Sequence, residues 1–110
     1  MKKYLAELLG TFTLTLAVLT SLALVTGVPG PLLAGLTLGL FVYTVGSISG
    51  AHLNPAITIG LWSVHKISGS EATRYILIQF LGGLIPFHNV CGTSRFTAIV
   101  PIKGNAGYFR

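Results

Sequence analysis

Apolar residues run along this chain in blocks, with polar residues gathered between them. Leu8 to Val25 carries no charge and no proline, and Thr26 to His65 continues without Lys, Arg, Asp or Glu. A helix that crosses a bilayer needs roughly 20 mostly apolar residues. The pattern predicts one span over about 4–25 and a second over about 32–48. Between them, Thr26-Gly27-Val28-Pro29-Gly30-Pro31 forms a tight connection, because glycine and proline punctuate helices. A third span is expected over about 70–87. Ser70-Glu71 is expected to cap it, with an acid in the first turn that suits the helix dipole. Gly35, Gly39, Gly46 and Gly50 fall on span two in small-xxx-small pairs, a spacing that lets helices approach closely in lipid. The competing reading is that glycine is simply common in membrane helices.

The stretch 49–64 breaks this rhythm. Ser49 to Ala56 is polar, yet it lies inside an apolar region. Ile57 to Val64 is apolar again, but eight helical residues rise only about 12 Å. That is a half-helix. Non-helical backbone at membrane depth is tolerated only where protein or water satisfies it. Asn54 is a favoured N-cap, and Pro55 suits the first helical position. A short helix from Pro55 to about Val64 would aim its positive end and free N–H groups back toward Asn54. Gly50, Ala51 and His52, extended or turn-like, would offer carbonyls. Donors at a helix mouth beside a ladder of carbonyls make a passage for a small polar solute and a barrier to cations.

Composition narrows the class. The chain is 52% hydrophobic and 8% charged, against about 25% charged in soluble domains. Lys2, Lys3, Lys66, Arg74, Arg95, Lys103 and Arg110 flank the apolar blocks and form no stripe, which excludes a nucleic-acid partner. Lys2, Lys3 and Lys66 put the N-terminus and the far end of the half-helix on the cytoplasmic side. The opening is too long for a signal-peptide core of about 7–15 residues, and Thr11, Thr13, Thr15 and Thr20 stud it, so it is read as a retained span. Cys91, the single cysteine, is read as an incidental thiol. With no acid–base pair, no nucleophile beside a base and no metal-ligand cluster, no enzyme, metal site or cofactor is expected. From Pro86 to Arg110 the helical period is lost. This tail is read as a different text joined to residues 1–85, through a lost reading frame or a truncation near Leu84–Pro86, and it is expected to be frameshifted or disordered.

Ser49-Gly-Ala-His-Leu-Asn-Pro-Ala-Ile-Thr58 resembles the first pore-loop signature of the aquaporin (major intrinsic protein) family. Ala6-Glu7-Leu-Leu-Gly-Thr-Phe12 is similar to that family's first-helix opening, and Gly60-Leu61-Trp62 fits its pattern after the first pore half-helix. The resemblance covers residues 1 to about 85. It implies an all-α membrane protein, an aquaporin-like first repeat of two to three transmembrane helices plus one re-entrant half-helix. It also implies a multi-pass cell-membrane channel for passive transport of water or small neutral solutes such as glycerol.

Carried over by that resemblance, Asn54 of Asn54-Pro55-Ala56 donates its amide to solute at mid-pore, and Gly50, Ala51 and His52 line the lumen with carbonyls. Glu7 braces the pore loop, an interfacial glutamate near the head groups being the alternative. The His52 ring either acts directly or packs aside. His65 beside Lys66 is interfacial. Counting back from Asn54 into span two, Ala34 stands where the family commonly has an aromatic in its narrow selectivity ring. Its small side chain implies a wider ring and leans toward a broader pore. The family fold has two inverted repeats, whereas this sequence holds one Asn-Pro-Ala and lacks the arginine that comes after the second. The expectation is a truncated half that does not conduct alone. Two alternatives stand beside it: a half-channel that rebuilds a pore by antiparallel homo-oligomeric pairing, and a small membrane protein that binds a full-length channel.

Overall fold

The structure, a computed structural model, describes residues 1–23 and 28–92. Four helices succeed one another: α1 (Lys2–Ala23), α2 (Gly30–Ser49), α3 (Pro55–Ser63) and α4 (Gly69–Cys91). Among the described residues there is no strand. Lys2–Leu22 and Gly30–Ser49 are long and apolar enough to cross a membrane. α1, α2 and α4 have lengths of about 33, 30 and 35 Å, and α3 of about 14 Å, less than half a hydrocarbon core of about 30 Å.

α1 packs against both α2 and α4, and α3 packs on α4. Lys3 and Glu71 form an ion pair that fixes the starts of α1 and α4 at one level. Further along, Gly82 lies against Leu8, Thr11 and Phe12, and Gly83 against Thr15. The two helices therefore run in the same direction, and α4 shares the depth of α1.

Side chains sort in the reverse of a soluble protein. Leu36, Leu40, Tyr43, Leu77, Phe80, Leu81 and Phe87 are exposed, whereas Glu7, Thr11, Ser49, His52, Thr58 and Gln79 are buried. Only 6% of the α2 span is buried within the chain, which separates it from the core helix of a soluble fold. Among the described residues of α4, those buried are Ala72, Tyr75, Gln79, Gly82 and Pro86. They repeat alternately every three and four residues, so they form one stripe, which mixes small residues with Tyr75, Gln79 and Pro86. Helices in lipid gain no hydrophobic drive by meeting each other; close packing and hydrogen bonds hold them.

Two expectations change here. Glycines in close contact with another helix or the loop include Gly10, Gly30 and Gly82, but not Gly35, Gly39 or Gly46 of the row on span two. A Cβ on Gly82 would lie 2.6 Å from the Leu8 carbonyl, and one on Gly10 would collide with Leu53, while one on Gly35, Gly39 or Gly46 would meet nothing within 4 Å. That row faces outward because α1 meets α2 along another side. Helical structure also does not stop at Pro86, since α4 runs through it to Cys91. Pro86 cannot donate to the Gly82 carbonyl, but proline persists inside membrane helices where neighbours accommodate the freed group. Residues 93–110, most of the expected tail, lie outside the described residues.

Candidate functional site

α2 ends where Gly50 takes a left-handed conformation (φ 86°) and donates its N–H to the Gly46 carbonyl at 2.9 Å. Ala51 (φ 47°) and Leu53 (φ 50°) are also left-handed, a conformation that side chains disfavour. The loop is held there by one carboxylate. Glu7 is completely buried. Its Oε1 accepts from Ser49 Oγ at 2.8 Å and from the His52 N–H at 2.9 Å. Its Oε2 accepts from the Leu53 N–H at 2.7 Å and from Gln79 Nε2 at 2.8 Å. Four donors use the full acceptor capacity of a carboxylate.

Other bonds complete the clamp. The Ala51 N–H donates to Ser49 Oγ at 3.1 Å, and Tyr75 Oη donates to the Ser49 carbonyl at 2.8 Å. Thr11, one helical turn beyond Glu7, donates to the Leu53 carbonyl at 3.2 Å. Gln79 Nε2 also donates to Thr58 Oγ1 at 3.0 Å, which ties α4 to the half-helix. No buried side-chain nitrogen or oxygen among the described residues lacks a partner.

The peptide bonds are all trans among the described residues, so each C=O points opposite to the N–H of the residue after it. The N–H groups of Ala51, His52 and Leu53 turn toward Ser49 and Glu7. The carbonyls of Gly50, Ala51 and His52 must therefore turn away from them. No donor among the described residues reaches these three oxygens. These are the residues for which a carbonyl ladder was expected.

Asn54 caps α3. Its Oδ1 accepts from the Ala56 N–H at 2.8 Å, and its carbonyl accepts from the Thr58 N–H at 3.1 Å. Because a backbone N–H occupies Oδ1, the amide orientation is fixed and Nδ2 faces outward as a donor. Asn54 and Ala56 are exposed, with Pro55 half-buried between them. Leu53 packs beside Gly10, about 12 Å along α1 from its start. From there α3 returns to the level at which α4 begins. His65 (φ 57°) ends it in a Schellman turn, with bonds from Lys66 N–H to the Leu61 carbonyl and from His65 N–H to the Trp62 carbonyl, both 2.9 Å. The loop is re-entrant: it goes in, stops at Asn54, and comes back.

The His52 ring is tucked aside. It is buried, with Nδ1 3.1 Å from Thr58 Oγ1 and its ring centre 4.9 Å from that of Tyr75 in an edge contact. Ala34 is half-buried on α2, near the helix end opposite to Gly50, and the clamp does not include it. Ser49, Thr58, Tyr75 and Gln79 were not anticipated as site residues. Their signal was present: polar residues inside apolar blocks, with Tyr75 and Gln79 in the regular stripe of α4.

Long apolar helices framing a polar loop that enters and returns define a multi-pass membrane protein with a re-entrant half-helix. The model of the major intrinsic protein family matches residues 1–97, and the chain belongs to that family. It is similar to an Aquaporin Z of Photorhabdus laumondii subsp. laumondii, 41% identical over 93 residues, covering 77% of this chain and 40% of that protein. An Aquaporin Z of Bradyrhizobium diazoefficiens is 39% identical over 93 residues, with 77% and 39% covered. An Aquaporin AqpM of Methanothermobacter marburgensis is 52% identical over 48 residues, covering 44% of this chain and 20% of the relative. The chain thus spans at most about two fifths of the length of these relatives. No solved structure matches it.

Proposed function

We propose that this chain forms one wall of a channel for the passive movement of water and small neutral solutes such as glycerol. What supports this reading is the orientation of the loop: the N–H groups of residues 51–53 are bound to Ser49 and Glu7, so the carbonyls of Gly50, Ala51 and His52 turn away from that clamp, next to the Asn54 cap. Solute hydroxyls donate to the carbonyls of Gly50, Ala51 and His52, and Asn54 Nδ2 donates to a solute oxygen. Pro55 and Ala56 set the mouth of α3, whose positive end repels cations. Glu7 holds the loop and does not touch solute. Membership of a family of channels speaks for passage rather than turnover. Ala34 widens the pore on its side and favours glycerol beside water. The N-terminus lies in the cytoplasm, as Lys2, Lys3 and Lys66 favour, and the membrane is the cell membrane.

One wall of a channel needs an opposite wall, so the chain by itself does not conduct. A second copy inserted the other way, or a full-length relative, could supply that wall. Two preparations in proteoliposomes test this, read by stopped-flow light scattering after water and glycerol steps. In the first, residues 1–92 replace the matching segment of an Aquaporin Z relative. The chimera should conduct, and Asn54→Asp should abolish conduction while keeping the helix cap. A chimera that folds and inserts but passes neither solute overturns the reading. In the second, the chain is reconstituted alone and should shrink no faster than empty liposomes. Fast shrinkage lost in Asn54→Asp would replace the single-wall reading with antiparallel pairing.

A further inference from the structure

Between α1 and α4, two adjoining hollows of about 420 and 270 Å³ meet at Tyr4 and Ile78. Leu5 and Leu8 of α1 and Leu77 of α4 give them apolar walls. Lys2 borders the first hollow and Arg74 the second. Both lie at the end of the helices that the Lys3–Glu71 pair holds together. The result is an apolar groove open to lipid, with a cation on either side of its mouth.

The chain has only two acidic side chains. Glu7 is consumed by the loop, and Glu71 is paired with Lys3. No unpaired side-chain carboxylate remains for Lys2 or Arg74. Among the described residues the Arg74 guanidinium hydrogen-bonds to the Tyr4 hydroxyl, at 3.5 Å, and Glu71 acts on it through space while being bonded to Lys3. Tyr4 is held in turn by an edge contact with Tyr75 at 5.8 Å, so the floor of the groove is tied to the loop's own clamp. Two such cations over an apolar channel match a molecule with a phosphate at one end and hydrocarbon behind it.

We propose that this groove is a binding site for an anionic phospholipid, one acyl chain lying along Leu5, Leu8 and Ile78 and the phosphate held between Lys2 and Arg74. Basic residues beside a helix pair on the cytoplasmic side favour acidic head groups in this way. The site needs the membrane setting but not conduction, so it stands or falls apart from the channel reading.

The test uses the full chain in phosphatidylcholine nanodiscs doped with a trace of photoactivatable lipid carrying a diazirine on one acyl chain. The head group is phosphatidylglycerol in one set and phosphatidylcholine in the other, and labelled residues are mapped by mass spectrometry. Phosphatidylglycerol should label Leu5, Leu8 and Ile78 roughly five- to thirtyfold more than phosphatidylcholine does, from the contribution of one or two cations near the surface. Lys2→Ala/Arg74→Gln should bring the two lipids to the same level. Lys66→Ala, a charge change on the same side away from the groove, should leave the preference in place. Equal labelling by both lipids in the unmodified chain overturns the proposal. So does a loss in Lys66→Ala as large as in the double variant, which would mean general surface charge. Lys2 is exposed and Arg74 largely so, so both variants should keep their helical circular dichroism.

Discussion

Glu7→Gln probes the clamp with almost no change of shape. One carboxylate oxygen becomes an NH₂ group, and the four partners of Glu7 all donate. If the NH₂ replaces Oε1, Ser49 can rotate its hydroxyl to accept, but the His52 N–H cannot turn. If it replaces Oε2, Gln79 can flip its amide, but the Leu53 N–H cannot. Either placement leaves at least one buried backbone donor without a partner, which costs about 1–3 kcal/mol. The remaining bonds pass from charge-assisted to neutral, each losing roughly 1 kcal/mol. Burying an amide instead of a carboxylate recovers part of this, so a net loss of about 2–4 kcal/mol is expected. Unfolding in mixed micelles, monitored by circular dichroism, measures the total. Hydrogen exchange locates it, and the amides of His52 and Leu53 should lose protection before those of α2. A stability change below about 0.5 kcal/mol, with those amides still protected, would refute the assignment of Glu7 as the loop's anchor.

Further substitutions test separate parts of the fold. Gly82→Ala would press a methyl against the Leu8 carbonyl and should destabilise the α1–α4 pair by about 1–3 kcal/mol. Gly35→Ala, into open space, should be neutral or slightly stabilising in the same unfolding assay. His65→Gly relieves a left-handed residue at the end of α3 and should raise stability by up to about 1 kcal/mol.

The helices were readable because apolar blocks of span length are rare outside membranes, and the half-helix because so short a segment cannot cross one. Asn54 and Pro55 announced the start of α3 through their capping chemistry. The loop's anchor was less accessible. Glu7 lies 45 residues before His52, and no local pattern links an acid in one helix to amides in a distant turn; only the family resemblance suggested it. Gln79 stood out as a polar residue in an apolar run, but its partners come from α1 and α3. The glycines misled for a related reason. Spacing shows which residues share a helix face, not which face meets a neighbour, so Gly35 and Gly39 resemble a packing surface and Gly82 does not. Pro86 misled because its cost depends on its surroundings.

The rigid peptide plane gives the loop an asymmetry between where function resides and where it can be altered. In the proposed channel, the groups that residues 50–52 present to solute are main-chain oxygens, which no side-chain substitution can delete. Each is also the far end of a plane whose near end is fastened to Ser49 or Glu7. A change inside the loop can bend the ladder but cannot erase it, whereas one change at Glu7 frees two planes at once. The most sensitive control over these oxygens sits on another helix, in a carboxylate whose bonds all turn inward to the loop and to Gln79.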